Sequence, residues 1–136
     1  MSSKRILVTG TSRGIGLELV KQLSNNGHQV LALSRNTSKL EKLALENPHL
    51  NALQTDITTE SGLDKVVGFV QEYWESVDIL IHNAGALLHK PFKETTSDDF
   101  QRIYQVNVFA VAGLTRRLDS FLTQGTHVVA ISSMGG

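Results

Sequence analysis

The sequence predicts an open parallel α/β sheet with helices wound on both faces, in the strand order 3-2-1-4-5. Three observations predict it. Short apolar runs suited to buried strands alternate with longer segments of helical periodicity along the chain. A glycine-rich turn, Thr9-Gly10-Thr11-Ser12-Arg13-Gly14-Ile15-Gly16, joins the first run to the first helical segment. The unbroken Ile79-Leu80-Ile81 run is what a central strand covered on both faces requires. Right-handed crossovers then place the strands in the stated order.

The elements follow in sequence. Ile6, Leu7 and Val8 form the first strand, and Ile15, Leu19, Val20 and Leu23 recur at helical spacing after the glycine turn. Asn26-Gly27 stops that helix, and Gln29 to Leu33 reads as the second strand. Leu40, Leu43 and Ala44 lie on one face of a short second helix bounded by Pro48. Leu50 to Thr55 is a modest third strand, followed by an amphipathic helix from about Ser61 to Trp74, with Trp74 in the core. Asp78 to His82 is the fourth strand. Ser97 caps the next helix above an acidic first turn, and Phe100, Ile103, Tyr104, Asn107, Val108, Val111, Leu114 and Leu118 trace one face of it. His127 to Ile131 is the fifth strand.

Composition bounds the function. With 136 residues and 40% hydrophobic content, the chain suits one domain with a substantial core. Thirteen basic residues balance thirteen acidic ones, which argues against nucleic acid or an anionic membrane as a partner. No apolar run approaches spanning length and no room for a signal peptide precedes the first strand, so a cytoplasmic protein is expected. There are no cysteines, and the five histidines lack paired ligand spacing, so no metal site is expected.

The glycine turn carries the chemistry. A helix N-terminus offers unpaired N–H groups and a partial positive charge, which suit a pyrophosphate. Gly10 permits the sharp turn, Gly14 lets the backbone approach phosphates, and Gly16 allows close packing of the helix. About 20 positions beyond these glycines, a dinucleotide site places the residue that faces the adenosine ribose, and an acidic residue there bonds the 2′-hydroxyl. Ser34 and Arg35 stand here instead. A hydroxyl and a guanidinium suit a 2′-phosphate, and Arg13 in the turn is placed to approach the same group; the alternative is that both arginines are solvated surface charges.

The spacing T-G-x-x-x-G-x-G closely resembles that of the short-chain dehydrogenases/reductases, a family with a Rossmann-type fold. The resemblance runs the length of the chain but corresponds to roughly the first half of a family domain, leaving the sheet incomplete at its C-terminal side. It implies NADP(H) in preference to NAD(H), with NAD(H) as the alternative cofactor. Ser12 and Ile15 belong to the implied cofactor turn. Asp56 and Ile57 match the family's adenine contact, although Asp56 read alone is equally a capping or loop aspartate. Asn83-Ala84-Gly85 matches the N-A-G motif along the cofactor, with His82 where many relatives carry a second asparagine.

Asn107, within Val106-Asn107-Val108, matches the tetrad asparagine that supports a water-linked proton relay; the alternative is a structural amide. Ser133, in Ile131-Ser132-Ser133, matches the catalytic serine. The implied activity is hydride transfer between a nicotinamide and a small carbonyl or alcohol, in a protein that is a homo-oligomer when intact. The family's Y-x-x-x-K pair has no match. The two tyrosines, Tyr73 and Tyr104, are followed four positions later by Val77 and Val108. The 136 residues alone are therefore expected to be inactive, and the reading of a different class is a non-catalytic dinucleotide-binding or regulatory module.

Overall fold

A computed structural model describes residues 2–132. The chain forms β1 (Arg5–Thr9), α1 (Gly14–Asn25), β2 (Gln29–Ser34), α2 (Ser38–Glu46), β3 (Leu50–Gln54), α3 (Glu60–Phe69), β4 (Val77–His82), α4 (Ser97–Tyr104), α5 (Ala110–Arg117) and β5 (Leu122–Ala130). The sheet has five strands in the order β3-β2-β1-β4-β5, and every pairing is parallel. This is the predicted order. β1, first in the chain, lies at the centre with Ile6, Leu7 and Val8 opposite Val30, Leu31 and Ala32 on one side and Ile79, Leu80 and Ile81 on the other.

Alternation along these strands makes two cores. Leu7, Leu31, Leu33 and Leu80 point to one face and pack with Leu63, Val66, Val70 and Trp74, and with Leu114 and Leu118 near the end of α5. Ile6, Val8, Val30, Ala32 and Ile81 point to the other and pack with Val20 and Leu40. Burying one such aliphatic side chain is worth about 1.5–3 kcal/mol, so central strands apolar on both faces are what hold the two helical layers together. No helix among the described residues is long and apolar enough to cross a membrane.

Several local features differ from expectation. α3 begins at Glu60, capped by the Thr59 hydroxyl, and its C-terminal end widens into a π-helical turn over Val70–Trp74 that Glu75 closes at φ 67°. The cap of α4 is Thr96 rather than Ser97. Thr96 Oγ1 accepts from Asp99 N at 3.1 Å while Asp99 Oδ2 accepts from Thr96 N at 2.9 Å, a reciprocal box that moves Ser97 into the first turn. Thr96→Ala is expected to lower stability by about 1 kcal/mol in chemical denaturation.

The stripe drawn from Phe100 to Leu118 is buried only at its lower end. Ala110, Leu114 and Leu118 are in the core, whereas Phe100, Tyr104 and Val108 are exposed by 44%, 52% and 46%. The physical reason is coverage: the principal neighbour of α4 is the π-helical turn, Gln105–Phe109, that continues it into α5. β5 starts earlier than His127 because Thr126 Oγ1 donates to Val77 O at 2.7 Å and Leu122 pairs with Val77 across a register shift. Its Val128 and Val129, which point to opposite faces, are both exposed.

Candidate functional site

A cleft of about 660 Å³ lies over the carboxyl ends of β1, β2 and β4. Its lining brings together residues that the sequence places far apart: Gly10, Ser12, Arg13, Gly14 and Ile15 from the glycine turn, Ser34 and Arg35 from the end of β2, Asp56 and Ile57 after β3, and Asn83, Ala84 and Gly85 after β4. Gly16 is buried behind this surface. Asn107 lies outside the cleft lining, although its neighbour Val106 is part of it. Ser133 lies outside the described residues.

The first βα turn is held open by specific contacts. Gly10 has φ +67°, and a Cβ there would sit 2.6 Å from Ala84 Cα, so the turn both needs a left-handed residue and lies against the N-A-G backbone. Gly14, at φ +60°, has open space where its Cβ would stand. A backbone bare of side chain at that point faces the cleft. A Cβ on Gly16 would collide with Gly10 O and stand 2.5 Å from Asn83 Nδ2. The expected close packing is thus made against the turn and Asn83 more than against the strand.

α1 opens at Gly14 with no side-chain cap on Arg13 and no acidic residue in its first turn. Its leading N–H groups and dipole therefore remain available to an anion. Ile15 is corrected in position: the sequence put it on the helix's apolar face, but it is 66% exposed in the cleft mouth. Val20, five residues further on, is fully buried.

At the ribose position, the Ser34 hydroxyl donates to Asn36 O at 2.8 Å and accepts from Asn36 N at 3.2 Å. Its proton is engaged within its own turn, and Arg35 beside it is exposed. Asp56 Oδ1 accepts from the Thr58 hydroxyl at 2.6 Å and from Thr58 N at 3.0 Å. These two bonds, with the nearby Arg35 charge, hold its carboxyl below the ordinary 3.8 against a smaller opposing effect of burial. Asp56 is both a loop-forming aspartate and an ionised acceptor on the cleft wall.

Asn83 ties β4 to the turn. Its Nδ2 donates to Gly10 O at 2.9 Å, while Asn83 N and Ala84 N both donate to Thr9 Oγ1, at 3.0 and 2.9 Å. Asn107 is exposed, although it falls on the apolar stripe read from the sequence, and its polar groups are satisfied. Oδ1 accepts from Ala86 N at 2.8 Å and Nδ2 donates to Ala86 O at 3.0 Å, across the loop that follows the N-A-G motif.

Thr9 and Thr11 were not given roles by sequence reasoning. Thr11 is buried and donates to Leu33 O at 2.9 Å, fixing the glycine turn to β2. A hydroxyl at the end of an otherwise apolar strand was the available signal for Thr9. Lys39, on the first turn of α2, also lines the cleft and was missed. Among the described residues, no group of three or more His, Asp or Glu side chains is arranged to hold a metal ion.

A family described as short chain dehydrogenase matches residues 4–136. Human (Homo sapiens) L-xylulose reductase is 34% identical over 111 residues, covering 82% of this chain and 44% of the relative. Carbonyl reductase [NADPH] 2 of Sus scrofa is 34% identical over 138 residues, covering 98% of this chain and 54% of the relative. A crystal structure of a short-chain dehydrogenase from Streptomyces avermitilis superposes with a TM-score of 0.88 at 33% identity, covering 98% of this chain and 50% of that one. The chain spans about half the length of the curated relatives it matches.

Proposed function

The chain belongs to the short-chain dehydrogenase/reductase family, and from that premise we propose that it is the N-terminal part of a single dinucleotide-binding domain in an oxidoreductase. The enzyme interconverts a small carbonyl and an alcohol and takes NADP(H) in preference to NAD(H). The observation that carries this reading is the uncapped start of α1, which opens at Gly14 onto a cleft that also holds Arg13 and Arg35. Relatives named as an L-xylulose reductase and an NADPH carbonyl reductase support the reaction class and the cofactor.

The residues present fit the adenosine and pyrophosphate portions of such a cofactor. The leading N–H groups of α1 and the glycine backbone hold the pyrophosphate, where a side chain at Gly14 would otherwise project. Arg35, with Arg13, binds the 2′-phosphate through charge-assisted hydrogen bonds, and Ser34 joins them once its hydroxyl turns from Asn36. Asp56 accepts from the adenine amino group with Ile57 against the ring. Asn83, Ala84 and Gly85 form the floor, and the bond from Asn83 to Gly10 keeps that floor level with the turn. The nicotinamide, when bound, supplies or accepts the hydride. Asn107 holds the Ala86 loop and supports the water-linked proton relay, and Ser133 donates a hydrogen bond to the substrate oxygen.

The test is a pair of fluorescence titrations with NADPH and NADH. NADPH is expected to bind more tightly, and Arg35→Asp to weaken it roughly tenfold to a hundredfold, the equivalent of losing a charged hydrogen bond worth about 1.5–3 kcal/mol. NADH affinity should change little or improve. Equal curves for the two cofactors before and after the substitution would refute the NADP(H) assignment.

A further inference from the structure

His82, the last residue of β4, is only 4% exposed, and its ring Nε2 lies 2.8 Å from Thr115 Oγ1 on α5. The single Thr115 hydroxyl proton is directed at Val111 O, 2.8 Å away. Thr115 is therefore the acceptor of the histidine bond. Nε2 carries the ring proton and Nδ1 keeps its lone pair. Nδ1 is buried and has no hydrogen-bond partner among the described residues.

We propose that His82 is an acid-sensitive positioning residue, anchoring the helical segment that carries Asn107 to the end of β4 while its ring is neutral and releasing it on protonation. Two side-chain attachments join residues 82–86 to that segment, His82 to Thr115 and Asn107 to Ala86. Positions 107 and 115 are about 12 Å apart along a helix, so together the attachments fix its direction as well as its place. With the Thr115 attachment gone, Asn107 makes the remaining side-chain hydrogen bonds from the segment to residues 82–86, while Leu114 and Leu118 stay packed in the core and Arg117 stays paired with Glu60 and Asp64, so the loosening falls on the part around the π-helical turn Gln105–Phe109.

Protonation puts an N–H and a positive charge at Nδ1, where no acceptor stands. Hydrating that charge requires the ring to turn outward, which breaks the bond to Thr115. The surrounding ionisable groups do not offset it. On α5 these are Arg116 and Arg117, the latter paired with Glu60 and Asp64, and Asp119 lies just past the helix end. On β5, His127 is exposed and stands opposite Ile79. On β1, Arg5 is at the far strand end, where its N–H donates to Asp78 of β4.

Burial accordingly pushes the His82 imidazole below its ordinary 6.5. The unfolded chain then takes up this proton at higher pH than the folded one. Stability from the neutral ring is complete above about pH 6.5 and is lost progressively as pH falls below it, toward the folded midpoint.

Long-range ¹H–¹⁵N spectra of the ¹⁵N-labelled full chain test this directly. The expected result is an Nε2–H tautomer near neutral pH, a His82 midpoint below 6.5, and an Asn107 side-chain amide signal that shifts with the same midpoint. Thr115→Val should return the midpoint toward 6.5, and His82→Asn should shrink the fall in Tm between about pH 7 and about pH 5. An Nδ1–H tautomer, a midpoint at or above 6.5, or an Asn107 signal indifferent to the titration overturns the proposal; the wild-type spectra decide even if both variants fail to fold. The role given to Asn107 rests on the function proposed above, but none of these readouts involves a cofactor. Failure to bind NADPH would refute that function and leave the anchor standing.

Discussion

A polypeptide of these 136 residues, purified and mixed with NADPH or NADH and a panel of aldehydes and ketones, is expected to oxidise neither cofactor above the rate of a heat-denatured control. Carbonyl reduction needs a proton donor within hydrogen-bond reach of the substrate oxygen, an arrangement that typically contributes about 10²–10⁴-fold. Tyr73 and Tyr104 are 63% and 52% exposed, and neither lines the cleft. Neither has a lysine one helical turn later to lower its pKa. Ser133 has no reason in the sequence to be acidic enough to replace them. Turnover that disappears on Ser133→Ala would overturn this expectation. Cofactor binding without turnover would agree with it, since the groups assigned to the adenosine and pyrophosphate are all present in the cleft.

Gly16→Ala is expected to be strongly damaging, and Gly14→Ala, two residues away, a milder change. The methyl at 16 would overlap Gly10 O and crowd Asn83 Nδ2, the two partners of the bond that joins the glycine turn to β4. Gly10 O is a backbone atom and Asn83 Nδ2 is held by its bond to it, so the helix has to move. Overpacking of this kind costs about 1–3 kcal/mol or more, and the displaced turn should lose cofactor affinity as well. The methyl at 14 meets nothing, so its penalty is the left-handed backbone alone, about 1–2 kcal/mol. Thermal denaturation of the two variants checks the ranking. A Gly16→Ala protein as stable as the parent would show that the turn yields without cost.

The fold was legible because its signals are local and mutually consistent. Ile79-Leu80-Ile81 announces a covered central strand, and Gly10, Gly14 and Gly16 announce the turn, so the strand order follows from connection rules. What could not be read depends on partners distant in sequence. Periodicity groups Tyr104 and Val108 with Leu114, but a π-helical turn over Gln105–Phe109 comes between them, and of these three only Leu114 is covered. Ile15 fits the helical period and still projects into the cleft, because the first turn of α1 stands at the sheet's open end. Thr9 and Thr11 acquire their roles only when β4 and β2 arrive beside them.

The central place of β1 also orders the events of folding. Its neighbour β2 lies close in the chain, so the clasp between Thr11 and Leu33 closes a loop spanning 22 residues. The bond from Asn83 to Gly10 spans 73. Loop-closure entropy grows with the logarithm of length, and this difference amounts to about 1 kcal/mol in favour of the shorter closure. The β1-α1-β2 unit is thus the natural early assembly, with β4 docking onto it afterwards. The glycine turn takes shape before its floor exists, and the dinucleotide site proposed above is complete only at the later, long-range step, when Asn83 reaches Gly10.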